Sequence, residues 1–335
     1  MKISQKMIAE LAGVSRGTVD RVLHGKPNVK PETRKKVISA IERLEYSPNM
    51  AGRALALSHR EYCICAVLPD NPFFDDVRDG MRAALSELSD YNISLECIIT
   101  NGKSNSELIS EISSIDCHAL MVAMGDSEDI RRCIKDKADA GVPVITFNTD
   151  VRDCGRLCFV GQDLYKSGRI AASLMVRMLR DDGGRVLIVT GNSKYKAHRE
   201  RVEGFADVVR NSAVRIEIAD VIETDDDCAL TYERVTAALK ADRDIDGIYV
   251  ASANIVAFER VIEELGGRYR VVVNDLHPAI ERALRNGSFD FTIFQNPFEQ
   301  GYRPVKLLFE CLFNGAVPQK EFYYTDNTVI TGEML

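Results

Sequence analysis

Apolar residues along the first fifty positions recur at helical spacing in three short runs. Met7, Ile8 and Leu11 fall on one face of a helix that Ser4 can cap. Ala12, Gly13 and Val14 interrupt it, and Ser15 can cap a second helix bearing Val19, Val22 and Leu23. A third run carries Val37, Ile38, Ile41 and Leu44, with Pro31 suited to its first turn and Pro48 stopping it. Helix, short glycine-containing turn, helix is the spacing of a helix-turn-helix unit, and three such helices enclose a small core. The second helix then shows Arg16, Gly17, Thr18 and Arg21 near its start, where a recognition helix meets base edges. Met50–Leu57 can form one further Ala-rich helix, too short to be stable alone.

From Tyr62 the period changes. Apolar, β-branched runs such as CICAVL, SLECIIT, ALMVAM, PVITFN, RVLIVTG, GIYVAS, YRVVVN and FTIFQN are nearly continuous, as in strands buried on both faces. Amphipathic stretches separate them, among them Asp76–Leu88, Asp129–Ala140 and Leu164–Leu179. Strand and helix in alternation predict parallel α/β sheets with ligand loops at the strand ends, and the length suits two such units side by side.

Charge sharpens this division. The chain has 335 residues and a formal net charge of −7. Residues 1–60 nevertheless hold 12 Lys and Arg against five acids, a balance of +7, so the remainder carries −14. Seven of those basic residues lie between Ser15 and Val37. A basic head on an acidic body predicts that the head meets a polyanion.

The stretches MIAELAGVSRGTVDRVLHG and VKPETRKKVISAIERLEYSPNMAGRALA resemble the DNA-binding head and hinge of the LacI–GalR family of bacterial transcription regulators. The resemblance implies a small all-α helix-turn-helix DNA-binding domain over residues 1–49 and a hinge helix and linker over 50–61. It implies base reading by Arg16 and Gly17, joined by Arg21, and backbone-phosphate contacts from Ser15, Thr18 and Asn28. Leu55, with Ala54 beside it, stands where the hinge leucine of the family wedges into the minor groove, which bends the duplex. Asp20, Gly17 and Lys30 depart from the common pattern, which bears on operator sequence and affinity.

Residues 62–335 resemble the periplasmic-sugar-binding-protein-like core of the same family. This implies an α/β periplasmic-binding-protein-like body of two doubly wound lobes, with chain crossovers near 162, 295 and 325 and an effector in the cleft. In DNPFFDD, Asn71 can bond a hydroxyl while Phe73 and Phe74 offer flat faces to a sugar's C–H side, although two phenylalanines after a Pro turn can equally be core. In ITFNTD, Asn148 and Asp150 can grip vicinal hydroxyls or simply cap a turn. HRERVEGF matches the R-x-x-G-F pattern of the family with Arg201 as the ligand-facing arginine; a helical salt bridge to Glu200 or Glu203 is the plainer reading. Asp275 and Gln295 supply the remaining polar partners, and Asn254 falls in the loop that matches the family least.

These residues imply an effector-responsive DNA-binding regulator, a repressor of carbohydrate-use genes, acting as a homodimer on a palindromic operator and answering to a sugar or polyol. If Lys194, Lys196 and His198 line the cleft beside Arg201, a phosphorylated or acidic sugar becomes the effector. A transport binding protein would share the body but lack the head. No P-loop, no G-x-S-x-G and no metal-ligand spacing occurs, so no enzyme, cofactor or metal is expected. Nine scattered cysteines read as plain thiols in a reducing cytoplasm, and no run of 18 apolar residues spans a membrane.

Overall fold

The structure, a computed structural model, describes residues 5–23, 29–44, 61–179, 183–192, 196–251, 255–266 and 268–335. Near the start, α1 (Gln5–Ala12), α2 (Arg16–Leu23) and α3 (Pro31–Arg43) pack through Ile8, Ala9, Val19, Val22, Val37 and Ala40, all buried. Gly13 takes φ +66° between α1 and α2, a left-handed turn that glycine adopts without strain. The Ser15 Oγ accepts from the Thr18 backbone N–H at 3.2 Å and so caps α2. Met7, Ile41 and Leu44 of the predicted apolar stripes are half-buried, and two residues of those stripes are exposed. Leu11 and Ile38 are each 43% exposed, while Ala9 and Ala40 are buried in the core instead.

The body is built on two six-stranded sheets of the same design. The first has the order β11-β5-β4-β3-β1-β2, from β1 (Tyr62–Leu68), β2 (Ile93–Ile99), β3 (Ala119–Val122), β4 (Val144–Phe147), β5 (Cys158–Gln162) and β11 (Phe322–Thr325). The second has the order β12-β10-β9-β8-β6-β7, from β6 (Gly184–Thr190), β7 (Ile216–Glu223), β8 (Ile245–Val250), β9 (Arg270–Asn274), β10 (Phe291–Phe294) and β12 (Thr328–Ile330). Every pairing in them is parallel except β10 with β12. Four of these strands, β5, β7, β11 and β12, lie outside the apolar runs picked out above. β7 (IEIADVIE) is an edge strand, and β11 and β12 are only four and three residues long.

The chain changes sheet after Gln162, after Phe294 and between Thr325 and Thr328. Each of the first two changes enters a helix that packs on the first helix of the lobe it joins. α7 (Leu164–Met178) crosses α8 (Lys196–Arg210), and α12 (Pro297–Phe309) crosses α4 (Pro72–Glu87). A reciprocal pair of glycines makes each crossing. A Cβ on Gly168 would stand 1.9 Å from the Arg201 carbonyl oxygen, and one on Gly204 2.1 Å from that of Tyr165. Gly80 and Gly301 repeat this, at 2.0 and 1.9 Å from the Phe298 and Val77 carbonyls. No described helix is long and apolar enough to cross a membrane.

Candidate functional site

The predicted DNA-contacting residues present one face. Ser15, Arg16, Gly17 and Arg21 are exposed and Thr18 half-buried, while Val19 and Val22 of the same helix are buried. Helical periodicity separates the two sets, so packing α2 leaves its basic side to solvent. Asn28, Ala54 and Leu55 lie outside the described residues, as does the Met50–Leu57 helix.

The floor between the lobes is polar and is assembled at the crossovers. Asn148 follows β4 with φ +56° and Asp275 follows β9 with φ +71°, equivalent positions in the two sheets. Asn and Asp tolerate this left-handed geometry better than other side-chain-bearing residues. The Asn148 Nδ2 donates to Gln300 Oε1 at 3.1 Å, and Gln300 Nε2 donates to the Gln295 carbonyl at 3.0 Å. The Gln295 Nε2 donates in turn to Asp275 Oδ1 at 2.5 Å, and Thr325 Oγ1 donates to the Gln295 carbonyl at 2.8 Å. A hydrogen-bonded chain therefore runs from the first lobe to the second through two crossovers. In the second lobe Ser167 Oγ donates to Oδ1 of Asn274, the last residue of β9 and one before Asp275.

Arg201 is 7% exposed. It donates to Gln162 Oε1 at 2.6 Å and to the Ala251 carbonyl at 3.1 Å, not to Glu200 or Glu203. Its Nε and the Gln162 Nε2 have no partner among the described residues. Buried donors without acceptors are costly, which marks this pair as a place where oxygen acceptors would be favoured. His198 lies 3.2 Å from Asp226, and Lys194 and the Lys196 side chain lie outside the described residues.

Several expected roles change. Asp150 is not a free hydroxyl grip: its carboxylate takes Arg156 Nε and Nη2 at 2.7 and 3.0 Å and Thr146 Oγ1 at 2.8 Å. Burial works against the Arg156 charge, but its bonds to Asp150 and Glu321 more than offset this and hold the guanidinium above its ordinary value. Phe74 is 5% exposed and packs edge-on to Phe147 in the core, so Phe73, half-buried, is the ring of that pair with an open face. Asn71 caps α4, its Oδ1 accepting from the Phe74 N–H at 3.3 Å. Asn254 lies outside the described residues. Gln300 and Arg156 escaped the sequence reading. Gln300 was findable by aligning the two lobes, since it precedes Gly301 as Ser167 precedes Gly168.

The cysteines are free thiols. Burial pushes Cys158 up to about 12 and raises Cys65 further.

A helix-turn-helix head carried by a two-lobed α/β body defines the class of ligand-responsive DNA-binding regulators. The family comparisons agree with both parts. Residues 64–315 match the description "Periplasmic binding protein domain" and residues 6–49 match "Bacterial regulatory proteins, lacI family". The chain belongs to the lacI family of bacterial regulatory proteins and is a DNA-binding transcriptional regulator. Catabolite control protein A of Priestia megaterium is 27% identical over 256 residues, 75% of this chain and 74% of that one. The HTH-type transcriptional regulator CelR of Thermobifida fusca is 28% identical over 282 residues, 78% of each. Among solved structures, a solute-binding protein of Burkholderia graminis in complex with D-arabinose superposes with a TM-score of 0.75 at 22% identity, over 82% of this chain and 96% of that one. GanP, a glucose-galactose binding protein of Geobacillus stearothermophilus, gives 0.74 at 24%, over 82% and 99%. At these identities the structural likeness shows the fold.

Proposed function

We propose that the protein is a homodimeric repressor of carbohydrate-use genes, released from or recruited to a palindromic operator by a sugar or polyol held between the lobes. Residues 1–49 form the reading head, 50–61 the hinge and 62–335 the effector-binding and dimerising body. The observation that carries this is the buried Arg201–Gln162 pair, with two N–H donor groups that have no partner among the described residues. Asp275 and Asn148 lie at the strand ends of opposite lobes, and Phe73 offers a ring. Such a set grips the oxygens and C–H face of a sugar. Sugars are the partners named for the two structural neighbours, and the relatives are named as regulators.

A ligand touching both lobes favours one lobe spacing by its difference in affinity for the two states. That spacing sets the distance between the hinge segments of a dimer. A thermal-shift screen of neutral sugars, polyols and sugar acids should find a stabilising ligand, since saturation at 100 times the dissociation constant adds about 2.7 kcal/mol. Operator titration with Arg201→Ala should then show binding without ligand near wild type and no response to it. An unchanged response in that variant overturns the pocket assignment. A hit confined to sugar acids would match the absence of a carboxylate within 4 Å of Arg201 among the described residues and replace the neutral sugar as effector.

A further inference from the structure

Asn101 lengthens the ladder between β1 and β2 by one rung. The last backbone rung is the bond from the Thr100 N–H to the Leu68 carbonyl, at 3.1 Å. Beyond it the Asn101 side chain takes over. Its Oδ1 accepts from the Asp70 N–H at 2.6 Å, and its Nδ2 donates to the Asp70 carbonyl at 3.0 Å. A side-chain amide has an acceptor end and a donor end, so here it copies a backbone peptide. The residue pinned in this way comes directly before Asn71, which caps α4, and shortly before Phe73.

Asn101 is also followed by glycine. The chain has three such steps, Asn101–Gly102, Asn286–Gly287 and Asn314–Gly315. An Asn–Gly step can lose its side-chain amide without an enzyme, because a residue with no Cβ leaves its backbone nitrogen open to approach the Asn Cγ. The fold treats the three steps differently. The Gly287 N–H donates to the Leu284 carbonyl and the Gly315 N–H to that of Cys311, each at 3.2 Å, so both nitrogens are held in helix-ending turns. The Gly102 N–H has no acceptor among the described residues, since it is the Lys103 N–H that closes the turn onto the Thr100 carbonyl, at 3.2 Å. Asn101 is exposed, so water reaches it. The Asp70 N–H adds a further feature: it points at Oδ1, where negative charge builds when a nucleophile adds to Cγ, as a donor in an oxyanion hole does. Asn286 has a similar donor in the Ser288 N–H at 2.9 Å, but its glycine nitrogen is tied. Only at Asn101 are both conditions met.

We propose that Asn101 is a modification site, at which the fold directs deamidation by water and the product unpins the loop that carries Asn71 and Phe73. The Gly102 nitrogen gives its proton to solvent base and bonds to Asn101 Cγ. The Cγ–Nδ2 bond breaks and ammonia leaves with a proton from water, which closes a five-membered succinimide. Water then opens the ring. Cleavage between the Gly102 nitrogen and Cγ yields aspartate. Cleavage between that nitrogen and the main-chain carbonyl carbon yields isoaspartate, whose backbone runs through Cγ and is one carbon longer. Either product can still accept from the Asp70 N–H but has no donor for the Asp70 carbonyl, and it sets a carboxylate beside that oxygen. One half of the rung is lost and the other half faces repulsion. Any effect on effector binding rests on the reading of Phe73 as a sugar-facing ring; the modification and the loosening do not.

The test incubates the full chain in warm, mildly alkaline buffer and follows each Asn–Gly step by peptide mapping, where the product is one mass unit heavier. Asn101 should convert at least fivefold faster than Asn286 and Asn314, and the three rates should converge in the guanidinium-unfolded chain. Equal rates in the folded protein, or the same ranking folded and unfolded, would overturn the proposal. Hydrogen exchange read by mass spectrometry then measures the loop without any sugar present. The Asp70 amide should exchange at least fivefold faster in Asn101→Asp and in aged wild type than in fresh wild type, and Asn286→Asp should leave it unchanged. Unaltered exchange at Asp70 in aged protein would overturn the unpinning, and that reading stands even if Asn101→Asp misfolds.

Discussion

Replacing Gly204 by Ala should reverse the usual sign of a helix substitution. In a helix interior Ala is favoured over Gly by roughly 0.5–1 kcal/mol, since Gly loses more backbone freedom on folding. At Gly204 the new Cβ would stand 2.1 Å from the Tyr165 carbonyl oxygen, and at Gly168 the equivalent atom would stand 1.9 Å from that of Arg201. Ordinary contact begins near 3.4 Å, so α7 and α8 must separate by more than 1 Å. Overpacking of this kind costs about 1–3 kcal/mol and outweighs the propensity gain. For a body of this size that corresponds to a melting temperature lowered by roughly 2–6 °C. The displaced atom is the Tyr165 carbonyl oxygen at the start of α7, two residues after Asp163; parting α7 from α8, which carries Arg201, strains the 2.6 Å bond from Arg201 to Gln162 at the same time, and effector affinity should fall with stability. The head supplies the control: a Cβ on Gly17 meets only Ser15 Oγ at 3.8 Å, so Gly17→Ala should stabilise the head slightly. Thermal unfolding of the full chain by calorimetry, with effector titration of each variant, decides the matter. Gly204→Ala with an unchanged or raised melting temperature would refute the reasoning.

Asp150→Asn leaves Arg156, whose side chain is 6% exposed, without its bidentate partner; breaking a buried pair in this way costs about 3–5 kcal/mol and should show as a lower urea midpoint, whereas a midpoint within error of wild type would return Asp150 to the ligand set. Burial holds His277 below its ordinary value of 6.5, and its Nδ1 accepts the Ala279 N–H at the start of α11 (Pro278–Arg285). A depressed value means that the unfolded chain takes up the proton first, so this contribution is complete above pH 6.5 and is lost as pH falls through the folded value. Stability measured from pH 7.5 to 5 should therefore fall more steeply in wild type than in His277→Asn, and parallel curves would remove His277 from the account. Operator affinity should drop steeply with salt, because the +7 head neutralises phosphates and releases counterions; a flat response would place DNA binding elsewhere.

Local chemistry was legible in the sequence. Helical spacing, caps and turn residues are properties of neighbours within a few positions, so the three head helices, the exposed basic side of α2 and the alternation of strand and helix could be read directly. Short or edge strands could not. β11 and β12 lack the length for a periodic signal, and only pairing with β5 and β10 makes them strands. The site divides in the same way. That Asp275, Gln295 and Asn148 stand just past strand ends, and Arg201 on a helix facing the ligand, follows from pattern and resemblance. Tertiary structure decided what each of them touches. Asp150 and Arg156 are six residues apart, and no spacing rule says that the turn between them closes into a bidentate pair. Asn148 and Gln300 are 152 residues apart and meet because a helix re-enters the first lobe after the chain has built the second. Phe74 is core and Phe73 is not, a difference set by which side of α4 faces the sheet. Sequence determines which groups are available and where the chain turns. Which of them are spent on one another, and which donors stay unanswered for a ligand, depends on the register of distant elements that only the packed fold fixes.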